Sequence, residues 1–153
     1  MEFSANKKLV KLFMDQAWNH GRFNLLEGLV QKDFIYTNNF SEQAMTYVGF
    51  CHYVGVIRSA IPDLQVVLDE IIEENNRLVT RATFNGTAVK TLFGVPPSGK
   101  ILAIESYSFW CIEHHKVKSL DTIADLADLR SHLQFGDADK AQVNSHGHGG
   151  HKI

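Results

Sequence analysis

Side chains able to move a proton are sparse in the apolar middle of this chain, and most of them fall where a structural role competes. His52 stands beside the apolar stripe of a helical segment, where a satisfied core or surface imidazole is commoner than a general base. His114 and His115 occupy a turn between two apolar runs and read as solvated. His146, His148 and His151 lie in a Gly-rich tail that offers a transition metal no preformed geometry, so adventitious binding is the favoured reading there. Cys51 and Cys111 are distant in sequence and in no Cys-x-x-Cys spacing, which favours small buried hydrophobes over disulfide or metal roles. Arg81, inside a strand, could hold an acid group or a carboxylate of the protein itself. Asp125 could act as an acid or base over the rim of a site, or simply cap a last helix. Trp18, Tyr36 and Tyr53 combine an apolar body with a polar tip, a character shared by small-molecule pockets and ordinary cores.

The elements that would position these groups follow from hydrophobic periodicity. Leu9, Val10, Phe13, Met14, Ala17 and Trp18 recur at three- and four-residue steps, which predicts a helix over residues 6–20 stopped by Gly21. Asn24 and Glu27 have the reach of a capping pair for a short helix over 25–30. A strand over 34–37 and a polar loop over 38–43 come next. The stripe Phe50, Tyr53, Val54, Ile57 and Ile61 marks a third helix, which Pro62 ends by disfavouring the α conformation before it. Leu64, Val66 and Leu68 alternate with polar neighbours, and residues 64–72 and 77–87 form one hairpin, 101–113 and 116–123 another. Between the hairpins, the run that ends at Gly86-Thr87 gives way to a ten-residue excursion, and Pro96-Pro97-Ser98-Gly99 turns the chain into the run starting at Ile101.

Helices first and a meander of strands after them predict an α+β domain, with its helices on one face of a curved antiparallel sheet. The absence of βαβ alternation argues against a doubly wound nucleotide-binding fold. On the strand over 101–113, Leu102, Ile104, Ser106, Ser108, Trp110 and Ile112 share one face, and Ala103, Glu105, Tyr107, Phe109 and Cys111 the other. A sheet apolar on both faces needs a cover on each, so a homodimer through the sheet is expected, a loop or C-terminal helix being the alternative cover.

The chain has 153 residues and a formal net charge of −2, which carries no electrostatic footprint for nucleic acid. No apolar run approaches a bilayer span and no signal-peptide core follows the N-terminus, so a cytoplasmic protein without a membrane partner is expected. One domain over 1–136 is expected, with a last helix over 125–132 and a disordered Gly/His-rich tail over 137–153.

Gly86-Thr87, the loop Phe93-Gly94-Val95-Pro96-Pro97-Ser98-Gly99-Lys100 and the turn His114-His115-Lys116-Val117 resemble the core of the SnoaL-like polyketide cyclase family. Ala17-Trp18-Asn19-His20-Gly21 and Arg58-Ser59-Ala60-Ile61-Pro62-Asp63-Leu64 are similar to its opening helices and its helix-to-strand junction. The resemblance implies a nuclear-transport-factor-2-like conical cup holding one small molecule. It also implies an intramolecular aldol ring closure that uses no metal or organic cofactor. Such a reaction needs a base, a donor to the enolate oxygen and an acid. The carry-over places Thr122 where the family's catalytic Asp belongs, and Ser106 and Ser108 where its assisting Gln and His belong. Ala88 falls at the His that follows the Gly-Thr pair. A Thr hydroxyl has no useful basicity near neutral pH, so the mechanism does not transfer intact. Asp121 points to the opposite face from Thr122 unless a bulge shifts the register.

Three readings follow. In the first, acid–base cyclase, isomerase or lyase chemistry on a small apolar or polyketide-like molecule depends on Asp121 or Asp125. In the second, Ser106, Ser108 and Thr122 supply neutral hydrogen bonds to a ligand within an apolar wall of Ile104, Trp110 and Leu120, in a cavity without a titratable group. In the third, the cup is filled and the dimer is purely structural. Fold alone does not choose among them.

Overall fold

A computed structural model of the chain describes residues 4–125. Helix α1, Ala5–Met14, starts where the Ser4 hydroxyl accepts from the Lys7 amide at 3.1 Å, and its stripe buries Val10, Phe13 and Met14. The helix does not stop there but widens into a π-helical turn, Asp15–His20, which buries Ala17 and Trp18. Gly21 then closes it with φ of 63°. The Arg58 guanidinium lies over that glycine, so close that a Cβ there would sit 2.3 Å from one of its nitrogens.

Helix α2 is Phe23–Glu27, one residue beyond Arg22, which offers no side-chain cap. This corrects the capping pair expected from Asn24 and Glu27, since Asn24 lies inside the helix. Thr46 caps α3, Tyr47–Ala60, whose buried stripe is Phe50, Val54, Ile57 and Ala60.

The strands are β1 Val30–Asn38, β2 Gln65–Glu74, β3 Arg77–Thr87, β4 Ile101–Glu113 and β5 Lys116–Ala124. They form one sheet in the order β1-β5-β4-β3-β2. The expected antiparallel meander is present from β2 to β5, and β1 adds to its far edge by running parallel to β5. Both hairpin turns use left-handed residues, Asn75 in one and His114 with His115 in the other. The pairing register shifts at Leu68/Glu70 in β2 and at Cys111/Ile112 against β5, and such bulges bend a sheet.

The concave face carries the core against the helices. Phe13, Phe34, Phe50 and Trp110 meet there with ring centroids 5.2 to 6.2 Å apart and mostly tilted or edge-on. Along β4 every second residue from Leu102 to Ile112 is buried, as the strand's two-residue period requires. On the other face Tyr107, Phe109 and Ile123 are 43%, 42% and 46% exposed. These helices packed on one curved sheet are the α+β nuclear-transport-factor-2-like cup that the resemblance implies. The helix expected over 125–132, beyond Asp125, and the tail over 137–153 lie outside the described residues.

Candidate functional site

The core does not fill the cup. Between α3, the π-helical turn and the inner face of β3–β5 lies a hollow of about 60 Å³. Trp18, Tyr36, Tyr53, Ile104, Ser106, Ser108, Leu120 and Thr122 all line it. Trp110 does not. It shares the inner face of β4 with Ser106 and Ser108 but lies further toward the hairpin, where Phe13 fills the space at 5.2 Å and the indole N–H donates to the Thr80 hydroxyl at 3.0 Å. That ring belongs to the floor of the core.

The two carboxylates proposed for catalysis also stand elsewhere. Asp121 faces outward, exposed, and accepts from the Thr37 hydroxyl at 2.8 Å. The cause is a bulge, but one acting opposite to the slip that would have brought Asp121 inside. Ile112 pairs with Val117 and Cys111 with Ser119, so Lys118 is the extra residue of β5. Strict alternation from buried Val117 would carry Ser119 and Asp121 inward; the extra residue instead turns Leu120, Thr122 and Ala124 to the inside. Asp125, exposed just past the end of β5, is not part of the cavity wall. Arg81 is engaged on the outer face with Glu70 and Glu105, each at 3.3 Å. His52 is exposed on α3, and Cys51 and Cys111 are free thiols.

Apart from Asn85, whose amide is turned to the Gln65 and Thr83 carbonyls, the polar content of the hollow is a set of hydroxyls. Thr122 and Ser108 are cross-strand partners, and their hydroxyl oxygens are 2.8 Å apart. Tyr36, on β1, comes within hydrogen-bonding reach of Thr122 and of Tyr53 on α3. The Tyr36 hydroxyl also accepts from the Asn38 side-chain amide at 3.4 Å. Ser106 donates to the Ala82 carbonyl at 3.5 Å. Burial pushes the Tyr36 phenol above its ordinary value, and hydrogen bonds from Asn38, Thr122 and Tyr53 oppose that shift. Burial, then the adjacent Tyr36, raises Tyr53 as well. Both phenols therefore stay protonated near neutral pH. Among the described residues that line the hollow there is no Asp, Glu, His, Lys or Arg, and no cluster of His, Cys, Asp or Glu that could hold a metal. The set can donate and accept neutral hydrogen bonds; it supplies no base of useful strength near neutral pH.

The rim is shaped by residues that the sequence shows only as a polar loop. The Asn38 carbonyl oxygen accepts from the Phe40 and Ser41 amides at 2.9 and 2.8 Å, an Asx turn that sets Phe40 over the hollow. Asn39 clamps both the carbonyl and the amide of Ala124, at 2.6 and 3.1 Å. Opposite, Leu92 and Val95 exchange backbone hydrogen bonds around Phe93 and Gly94, whose φ values are 53° and 76°. A left-handed aromatic residue costs about 1–2 kcal/mol. Its return is position, because the Phe93 and Phe40 rings stack at 4.7 Å and both line the cavity. A dry apolar cavity of about 150 Å³ takes benzene, so a guest of that size must push these rings outward.

Gly86, also in the wall, lets β3 pass close to the junction after α3. A Cβ there would sit 2.4 Å from Ile61 Cγ2. The adjacent Thr87 amide donates to Asp63 at 2.7 Å, which ties the Gly-Thr pair to the helix-to-strand junction.

The family model described as SnoaL-like polyketide cyclase matches residues 8–133. No curated protein matches the sequence. A candidate SnoaL-like polyketide cyclase from Jannaschia sp. CCS1 superposes with a TM-score of 0.77 at 20% identity, covering 87% of this chain and 96% of that one. TsrD from Streptomyces laurentii superposes with a TM-score of 0.75 at 22% identity, covering 87% and 97%. A protein of ketosteroid isomerase-like fold from Catenulispora acidiphila gives 0.67 at 15% identity, covering 82% and 91%. At these identities the likeness speaks for the fold alone.

Proposed function

Because the chain belongs to the SnoaL-like polyketide cyclase family, we propose that it uses the family's cup to hold one small, neutral, mostly apolar molecule of polyketide-like character by hydroxyl hydrogen bonds rather than by a carboxylate. The observation that carries this reading is the composition of the cavity wall. Where a carboxylate would serve an aldol closure, the wall offers Thr122 hydrogen-bonded to Ser108, and Asp121 is turned to the outer face. Most of the remaining wall is apolar, so a guest gains by burying apolar surface, at about 25 cal/mol per Å². A charged guest would lose its hydration without meeting an opposite charge among the described residues.

Native mass spectrometry of the protein purified under gentle conditions tests the reading. One neutral apolar adduct per chain is expected, and it should disappear when Ser106→Leu narrows the hollow. An adduct unaffected by Ser106→Leu, or a protein that takes up no apolar molecule when these are supplied in excess, would refute it.

A homodimer through the outer sheet face belongs to the same reading. Tyr107, Phe109 and Ile123 lie together there, each more than two-fifths exposed, and a partner sheet would cover them. Sedimentation equilibrium should return twice the chain mass and Phe109→Glu should return the single mass; a wild-type monomer at micromolar concentration contradicts the dimer.

A further inference from the structure

We propose that the Tyr53–Tyr36–Thr122–Ser108 row is a single hydrogen-bond-donor subsite, which selects a ligand by a neutral acceptor oxygen such as a ketone or quinone carbonyl. The inference rests on the reading of the hollow as a binding site and adds which end of the guest is recognised, and by what.

The argument is a count of protons. Asn38 gives its carbonyl oxygen to the Phe40 and Ser41 amides, which fixes the amide orientation and leaves its nitrogen to donate to Tyr36 at 3.4 Å. Tyr36 therefore accepts from Asn38 and must spend its own proton elsewhere. Four hydroxyls carry four protons. At most three links can join them along the row, and the one that closes in the structure is Thr122 with Ser108 at 2.8 Å. At least one proton is left over. Because each hydroxyl can donate or accept, the row can run in either direction and present that proton at the Tyr53 end or at the Ser108 end.

Both ends face the hollow. Tyr36 and Ser108 are 2% and 3% exposed, while Tyr53 and Thr122 are half-buried, so bulk water reaches the Ser108 end least. Ser106 donates its own proton to the Ala82 carbonyl, and among the described residues no hydrogen bond from the row reaches its oxygen. A buried donor without an acceptor is costly, and among the described residues no wall group outside the row accepts from it, so a guest that brings an acceptor oxygen satisfies it. A carboxylate would also accept, but with no cation lining the cavity among the described residues it gives up more hydration than one neutral donor returns.

Three probes of one shape test this: ethylbenzene, acetophenone and benzoate, titrated against the full chain and followed by ligand-observed NMR. The cost of displacing Phe40 and Phe93 is common to the two neutral probes and cancels in their ratio. Acetophenone is expected to bind about fivefold tighter than ethylbenzene, and benzoate more weakly than either. In Tyr36→Phe/Tyr53→Phe/Ser108→Ala/Thr122→Val, which removes every hydroxyl of the row, the ratio should fall to within twofold. A second measurement needs no variant: the carbonyl stretch of bound acetophenone should lie below its value in hydrocarbon solvent. If neither neutral probe enters, the binding-site reading itself fails and this inference with it. If both bind equally, if benzoate binds as tightly as acetophenone, if the variant without the four hydroxyls keeps the preference, or if the stretch matches hydrocarbon solvent, the subsite is refuted while the binding site stands.

Discussion

Replacing Thr122 by Asp puts a carboxyl group into the wall of the hollow, and it should produce a protein whose stability falls as pH rises. Thr122 Oγ1 lies 2.8 Å from Ser108 Oγ on the inner face of the sheet, in a wall without a cation among the described residues. A carboxyl group there loses hydration, which favours its neutral form; one or two hydroxyl donors compensate only in part. With Thr122 only partly buried, a rise of about 2 pKa units above the ordinary 3.9 is a reasonable magnitude, and at 1.36 kcal/mol per unit this amounts to about 2.7 kcal/mol. The sign follows from linkage. Below about pH 4 the carboxyl is neutral in both states and the penalty is absent. Between about pH 4 and 6 the unfolded chain ionises while the folded one holds its proton, so stability is progressively lost, and above that range the loss is constant. Urea unfolding of the variant and the wild type at a series of pH values, compared as a difference, cancels every other titrating group. A difference that stays flat from about pH 4 to 8 would refute the reasoning, since it would mean that the side chain at position 122 meets water and not the hollow.

Gly86→Ala should lower the unfolding free energy by about 1–3 kcal/mol in a urea titration, because the new Cβ would sit 2.4 Å from Ile61 Cγ2 and 2.9 Å from the Asp63 carboxylate that holds Thr87. Asp121→Asn should change acetophenone affinity by less than twofold in the NMR titration, since that carboxylate bonds Thr37 on the outer face; a loss of tenfold or more would bring Asp121 back to the site. Alkaline titration followed by ultraviolet absorbance should show Tyr36 and Tyr53 ionising only as the protein unfolds. Their folded values are raised, so the stability they contribute is complete below about pH 10 and is lost as pH climbs toward the folded values. Ionisation of all the tyrosines near pH 10 with the fold intact would contradict their burial.

Local chemistry made much of this fold legible. Pro62 does end α3, the strand Arg77–Thr87 has its expected bounds, and the two faces of β4 divide as alternation requires, because each depends on neighbours in sequence. The parallel pairing of β1 with β5 joins residues such as Tyr36 and Leu120, far apart in the chain, and no local pattern records it. The bulge at Lys118 is equally silent. Val117-Ser119-Asp121 and Leu120-Thr122-Ala124 are both acceptable two-residue patterns, and only the partner strand decides where one gives way to the other. Alternation places Trp110 on the inner face but not at its depth, since a strand's period says nothing about where along it the helices press closest. Asn38 and Asn39 carried a signal in their turn-forming side chains. That the same Asn38 would also fix a buried tyrosine could be seen only once β1 and the loop were placed together.

The measurement that tests the account most directly is a diffraction structure of the protein equilibrated with acetophenone. The account predicts one molecule inside the cup, its ring between Trp18 and Leu120 and its carbonyl oxygen within hydrogen-bonding distance of Tyr53 or Ser108. Acetophenone found only on the outer surface, or a hollow closed by Tyr36 and Leu120 with no room for a guest, would contradict it.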